Sequence, residues 1–168
     1  MKSFKKILVV LFGVMVAFFL FLLWYQNRYA MKVVIPYSIN QISFKKKLLI
    51  AAQGSNFKDE VATGIVDYFK SDSIYIKVLD IKELQAISPE DFDAIIVMHT
   101  WEYGKPPTAV KEFIHRTEKY KNRIVVVTTS GEGSYKMENV DAIVGESILE
   151  DTPVFMDAII RRLTPLLK

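Results

Sequence analysis

Three short polar stretches, each directly after an apolar run, hold the residues of this chain best suited to chemistry. The first is Gln53-Gly54-Ser55-Asn56-Phe57-Lys58, which follows Leu48–Ala52. Gly54, Ser55, Asn56 and the Lys58 ammonium are what an anion at a helix amino terminus needs: free backbone N–H groups, a hydroxyl and a positive charge. The second is His99-Thr100-Trp101-Glu102-Tyr103-Gly104, after the run Ala94–Met98. Trp101 and Tyr103 offer flat faces on which a planar ligand could stack; the plainer reading is loop aromatics packing on their own domain. Their place after a central strand favours the ligand. The third is Thr129-Ser130-Gly131-Glu132-Gly133-Ser134, after Ile124–Thr128. Its glycines read either as a turn needing positive φ or, together with Thr129 and Ser130, as a loop at a ligand's edge.

Other chemistries lack their residues. The chain has no cysteine, which removes disulfides, thiolate metal sites and cysteine nucleophiles. It has no HExxH motif, phosphate-binding Walker loop or nucleophile elbow, so hydrolysis has no constellation to rest on. Of the two histidines, His115 falls within a helical pattern and reads as structural or solvated. His99 lies near the second loop, with packing as its simpler role. Asp91 and Asp93 precede a strand and read as structural. The net charge of +3 is unevenly spread: from Phe44 onward 17 basic residues face 19 acidic ones, a net of −2. The later lysines and arginines are interspersed with carboxylates, which leaves no nucleic-acid footprint.

The elements that must position these loops follow from the hydropathy pattern of the 168 residues, enough for one domain and an attachment. Residues 1–6 form a basic tail with three lysines. Residues 7–25 run for 19 positions without a charge, include four phenylalanines and Trp24, and predict a helix spanning the bilayer. A cleaved signal peptide fits less well, because the run exceeds the usual apolar core and Arg28-Tyr29-Ala30 is a poor cleavage site. A basic tail ahead of a first apolar helix favours an extracytoplasmic domain on a single-pass anchor in the cell membrane. Residues 26–46 are a connector whose apolar patch Val33-Val34-Ile35-Pro36-Tyr37 lies on the membrane surface or on the domain; Pro36 argues against a central strand there.

Residues 47–168 alternate strand and helix patterns. Strands are expected at Leu48–Ala52, Ile74–Leu79, Asp93–Met98, Ile124–Thr128 and Ala142–Val144, and helices at Phe57–Lys70 and Thr108–Tyr120. Ser55 or Asn56 can cap the first of these helices. Ile81–Ile87 reads as a short helix or turn. A last helix starts at Thr152-Pro153 and presents Phe155, Ile159, Ile160, Leu163 and Leu166. Alternation of this kind means an α/β fold with a parallel sheet covered on both faces.

Over residues 47–168 the pattern resembles the flavodoxin family. The stretch AIIVMHTWEYGKPPTAVKEFI is similar to that family's third strand, aromatic loop and following helix. VVVTTSGEGS is similar to its fourth-strand loop, and VDAIVGES to its short last strand. The resemblance implies a doubly wound five-stranded parallel sheet of order 2-1-3-4-5 and the cofactor FMN. Gly54, Ser55, Asn56 and Lys58 would face the phosphate. Thr100, Trp101, Tyr103 and Gly104 would line the ring, with Trp101 or Tyr103 against it, and Thr129, Ser130, Gly131 and Gly133 would border its pyrimidine end. It further implies electron transfer or reduction of a quinone-type acceptor, with a redox protein or quinone as partner. Two departures stand out: the first loop has one hydroxyl instead of the family's run of Thr and Ser, and residues 135–141 are too few for a full fourth helix. The alternative expectation is a cofactor-free flavodoxin-like scaffold on a membrane anchor.

Overall fold

The computed structural model describes residues 2–29 and 31–168. Met1 of the basic tail and Ala30 of the connector lie outside the described residues, as do the side chains at positions 2–3 and 26–29. Two compact units form, one ending at Met31 and the other spanning Lys32–Lys168.

The first unit is one helix, α1 (Lys2–Tyr29). Its 22-residue stretch Phe4–Tyr25 is long and apolar enough to cross a membrane, about 33 Å at the helical rise. Its apolar side chains are exposed on every side. Near its end Phe21 packs 5.9 Å from Trp24 and 6.2 Å from Tyr25, the ring types that favour a membrane–water boundary.

The second unit is a six-stranded sheet between helical layers. In chain order its elements are β1 (Tyr37–Ile39), β2 (Lys46–Ala52), α2 (Asn56–Phe69), β3 (Ile74–Asp80), β4 (Ala94–Thr100), α3 (Thr108–Arg116), β5 (Ile124–Thr129), β6 (Ala142–Gly145) and α4 (Thr152–Leu167). The sheet order is β1-β3-β2-β4-β5-β6. Strands β2 to β6 are parallel and reproduce the expected 2-1-3-4-5 order, that of the flavodoxin-like doubly wound fold. The expectation of five strands is corrected to six. Tyr37, Ser38 and Ile39 pair antiparallel with Val78, Lys77 and Ile76 and close the open edge of β3. Pro36 stands just ahead of this edge strand, where its missing N–H breaks no ladder.

Continuous apolarity in β2 and β4 is explained by cover on both sides. Leu48, Ile50, Ile96 and Met98 pack under α2 and α4 through Val61, Ile65, Phe69, Ile159 and Leu163. Leu49, Ala51, Ile95 and Val97 face Leu84, Val110 and Phe113 on the other side. Helix α3 ends at Arg116, four residues before the expected Tyr120. The Thr117 hydroxyl and N–H both donate to the Phe113 carbonyl, and the chain tightens into a 3₁₀ turn at Glu118–Arg123. No helix crosses between β5 and β6.

Phe155 ties α4 to both α2 and the last strand. Its ring meets Phe57 edge-on at 5.0 Å, and it occupies the space that a side chain on Gly145 would need, 2.5 Å from an ideal Cβ there. Phe155→Ala is expected to lower the unfolding free energy of the full chain by about 3–5 kcal/mol, read from urea titration in detergent. A loss under about 1 kcal/mol would mean that this contact is not part of a close-packed core.

Candidate functional site

The carboxyl ends of β2, β4 and β5 meet the amino terminus of α2, and Gln53 joins the loops there. Its N–H donates to the Met98 carbonyl at 2.9 Å. Its side-chain Oε1 accepts from the Thr100 N–H at 2.9 Å, and its Nε2 donates to Glu102 Oε1 at 2.7 Å. The first and second loops are therefore held as one piece. Gln53 was not among the expected site residues; an amide in a loop carries no sign in sequence of which strand it will bridge.

Ser55, not Asn56, caps α2: its backbone is extended and its Oγ accepts from the Lys58 N–H at 3.3 Å. Asn56 is the exposed first residue of the helix and accepts from Lys32 Nζ at 3.4 Å. Gly54 pairs with Lys32 in an antiparallel bridge. A Cβ at Gly54 would lie 2.2 Å from the Lys32 carbonyl oxygen, so only glycine lets the connector cross the first loop this closely.

Lys58 is the central group. It stands in the first turn of α2 yet is fully buried, with its ammonium turned inward. Nζ donates to Thr100 Oγ1 at 2.7 Å and to Ser55 Oγ at 3.3 Å. Among the described residues no carboxylate comes within ion-pair distance of it. Burial lowers its pKa from 10.5 to about 8, only partly offset by the fields of Asp59 and Glu102. Thr129 Oγ1 donates its one proton to the His99 carbonyl at 3.5 Å, so in its 3.1 Å contact with Thr100 Oγ1 the Thr100 hydroxyl is the donor. Ammonium and hydroxyls thus form one directed chain across β4 and β5.

His99 points to the other face of the sheet, where its Nε2 meets Thr128 Oγ1 at 3.0 Å. Burial, with the added repulsion of Lys58, lowers its pKa to about 4, so the ring is neutral at pH 7. Ser130 Oγ is buried and has no hydrogen-bond partner among the described residues.

The aromatic residues separate. Trp101 is half-buried, its N–H donating to the Thr129 carbonyl at 2.7 Å, and its ring lies 5.9 Å from that of Tyr135 at 33°. Tyr103 is 98% exposed at φ +49° and forms with Gly104, φ +71°, the tip of a tight turn closed by mutual Glu102–Lys105 hydrogen bonds. Gly131 is exposed; Gly133, φ +65°, closes the third loop by donating to the Ser130 carbonyl. The structure therefore joins Ser55, Lys58, Thr100 and Thr129 directly, sets Trp101 and Ser130 beside them, and leaves Tyr103, Gly104 and Gly131 at the rim. A groove of about 1080 Å³ opens where no helix links β5 to β6, and it shares only Trp101 with this cluster.

An ammonium held near neutral pKa has a defined signature. Below about pH 8 Lys58 is charged in both folded and unfolded chains, and the folded state bears the burial cost. As pH rises from about 8 toward 10.5 the folded state releases the proton first, so unfolding takes up a proton and stability rises by up to about 3 kcal/mol. Lys58→Met is expected to be more stable than the parent near pH 7 and to lose this rise. Urea titrations of both proteins across that range check it; parallel pH profiles would contradict a buried, uncompensated charge.

No family model and no curated protein sequence matches the chain. Among solved structures it is similar to oxidised Flavodoxin 2 from Bacillus cereus, at 19% identity over 71% of this chain and 75% of that one, with a TM-score of 0.37. It is also similar to a flavodoxin, WrbA-like protein from Agrobacterium tumefaciens, at 12% identity over 70% and 72% of the two chains, TM-score 0.36. The flavodoxin-like fold is assigned from this chain's own strand order, crossovers and covered faces.

Proposed function

We propose that this is a membrane-anchored flavodoxin-like protein whose crevice takes FMN for electron transfer or for reduction of a quinone-type acceptor. The observation that carries the reading is Lys58: a buried ammonium with hydroxyl partners and, among the described residues, no carboxylate in ion-pair contact, under a helix amino terminus, is a positive charge waiting for an anion. A phosphate there would receive the Lys58 charge, the unpaired N–H groups of the first turn of α2 and the Ser55 hydroxyl. The orphaned Ser130 Oγ fits a polar ligand edge at the third loop.

The ring end fits on one condition. Two rings that stack on both sides of a third need about 7 Å between them, and Trp101 and Tyr135 stand at 5.9 Å. Tyr135 is 43% exposed and lies outside any helix or strand, so its rotation opens the slot without disturbing the core. Bound there, the flavin would supply the redox chemistry. The chain would hold the phosphate through Lys58 and Ser55, offer the Trp101 face to the ring and leave its edge open to partners. Helix α1 would serve as the anchor, with the domain outside the cytoplasm, and residues 26–46 would connect the two.

The closed Trp101–Tyr135 pair and the connector over Gly54 favour a second reading, a cofactor-free scaffold of the same fold. A visible absorption spectrum of the purified full chain, followed by titration with FMN and with riboflavin, separates the two. The proposal expects saturable quenching of FMN, riboflavin weaker by at least about tenfold because it lacks the phosphate, and loss of that preference in Lys58→Met. No binding of either flavin would leave the scaffold.

A further inference from the structure

The residues just after α1 are held firmly and yet turn apolar side chains outward. Val34 packs against the core, and its N–H donates to the buried Asp80 carboxylate at 3.0 Å. In an extended chain its neighbours Val33 and Ile35 must then point away, and they are 61% and 83% exposed. Strand β1 fixes the next residues to β3. Asn40, in the left-handed region at φ +68°, then donates from its side chain to the carbonyls of Lys70, Asp72 and Ile74, and the loop so pinned leaves Ile42 67% exposed. A segment tied down at three places has had every chance to bury these aliphatic groups, and it presents them instead.

We infer that residues 32–42 form a lipid-docking surface, which seats the domain on the bilayer with the first loop next to the membrane. Charge favours lipid as the occupant at the Lys32 end of the patch. Lys32 and Lys45 are exposed and no acidic residue precedes Asp59 in the chain, which suits anionic headgroups. At the Tyr37 end, by contrast, burial and then the Asp59 and Asp67 carboxylates of α2 raise the phenol pKa. Only three residues separate the end of α1 from Val33. The inference rests on α1 being a membrane anchor. Its consequence lies in the Lys32–Gly54 bridge: the strap that would touch lipid also crosses the first loop, beside the Ser55–Lys58 cluster. Acceptors dissolved in the membrane would then reach the crevice from the lipid side.

The absence of cysteine makes the test direct. Single variants Val33→Cys, Ile35→Cys, Leu20→Cys and Asn122→Cys of the full chain are labelled with an environment-sensitive nitrobenzoxadiazole dye. They are reconstituted in vesicles of phosphatidylcholine and phosphatidylglycerol. The inference expects labels at 33 and 35 to emit to the blue of that at the exposed Asn122 and to be several-fold less quenched by aqueous iodide. Labels at 33 and 35 as accessible as that at 122, with Leu20 still protected, would overturn the docking surface and leave the anchor standing. An unprotected Leu20 would overturn the anchor itself. Protection at 33 and 35 that disappears when the chain is diluted among vesicles would assign the patch to a second copy and overturn lipid as its occupant.

Discussion

Taking one ammonium out of water is the constraint around which the domain's polar end is arranged. Lys58 enters the crevice from the first turn of α2, and among the described residues its ammonium donates to the neutral hydroxyls of Ser55 and Thr100. Desolvation brings its pKa from 10.5 down to about 8, which corresponds to about 3 kcal/mol borne in the absence of a ligand. Such a cost is tolerated when the surrounding shell fixes the group in place. Here Gln53 joins the loops, Ser55 caps the helix, and the Thr100–Thr129 pair spans two strands in register.

The sheet makes that arrangement possible. Central strands buried on both faces can be long, apolar and rigid, and they deliver Thr100 and Thr129 side by side at their carboxyl ends. The sheet and α4 then hold α2 on one face, where Val61, Ile65 and Phe69 pack on the apolar side while Lys58 is buried against the loops. At the outer edge the same sheet accepts the connector as β1, so the chain leaving α1 becomes part of the domain and passes over the first loop. Strap and crevice are joined by covalent and hydrogen-bonded structure.

Periodicity revealed most of this fold because burial dictates it. An unbroken run such as Ala94–Met98 needs cover on two faces, and the spacing of Val61, Ile65 and Phe69 needs one covered helix face. Alternation of strands and helices gave a parallel sheet, and the strand order came from the resemblance to the flavodoxin family. Edge strand β1 was not legible, since three residues beside a proline show no period, and their pairing depends on an open edge supplied from elsewhere. The three loops were legible as places, because each ends an apolar run. The arrangement within them was not. Lys58 was legible as a charge for an anion, but nothing local to it shows that Thr100, 42 positions away, will accept from it and that the ammonium will be buried. Tyr135 was likewise invisible as the neighbour of Trp101, because the shortened connection between β5 and β6 alone brings it there.

The most direct test is to read the Lys58 ammonium itself. Nitrogen-15 NMR of the full chain labelled at lysine side chains, with Lys58→Met to assign the signal, follows its titration with and without FMN. The account predicts a pKa near 8 in the free protein, rising by at least about one pH unit when the phosphate binds. A pKa close to 10.5 in the free protein, or one that FMN leaves unchanged, would contradict a buried anion receptor at the head of α2.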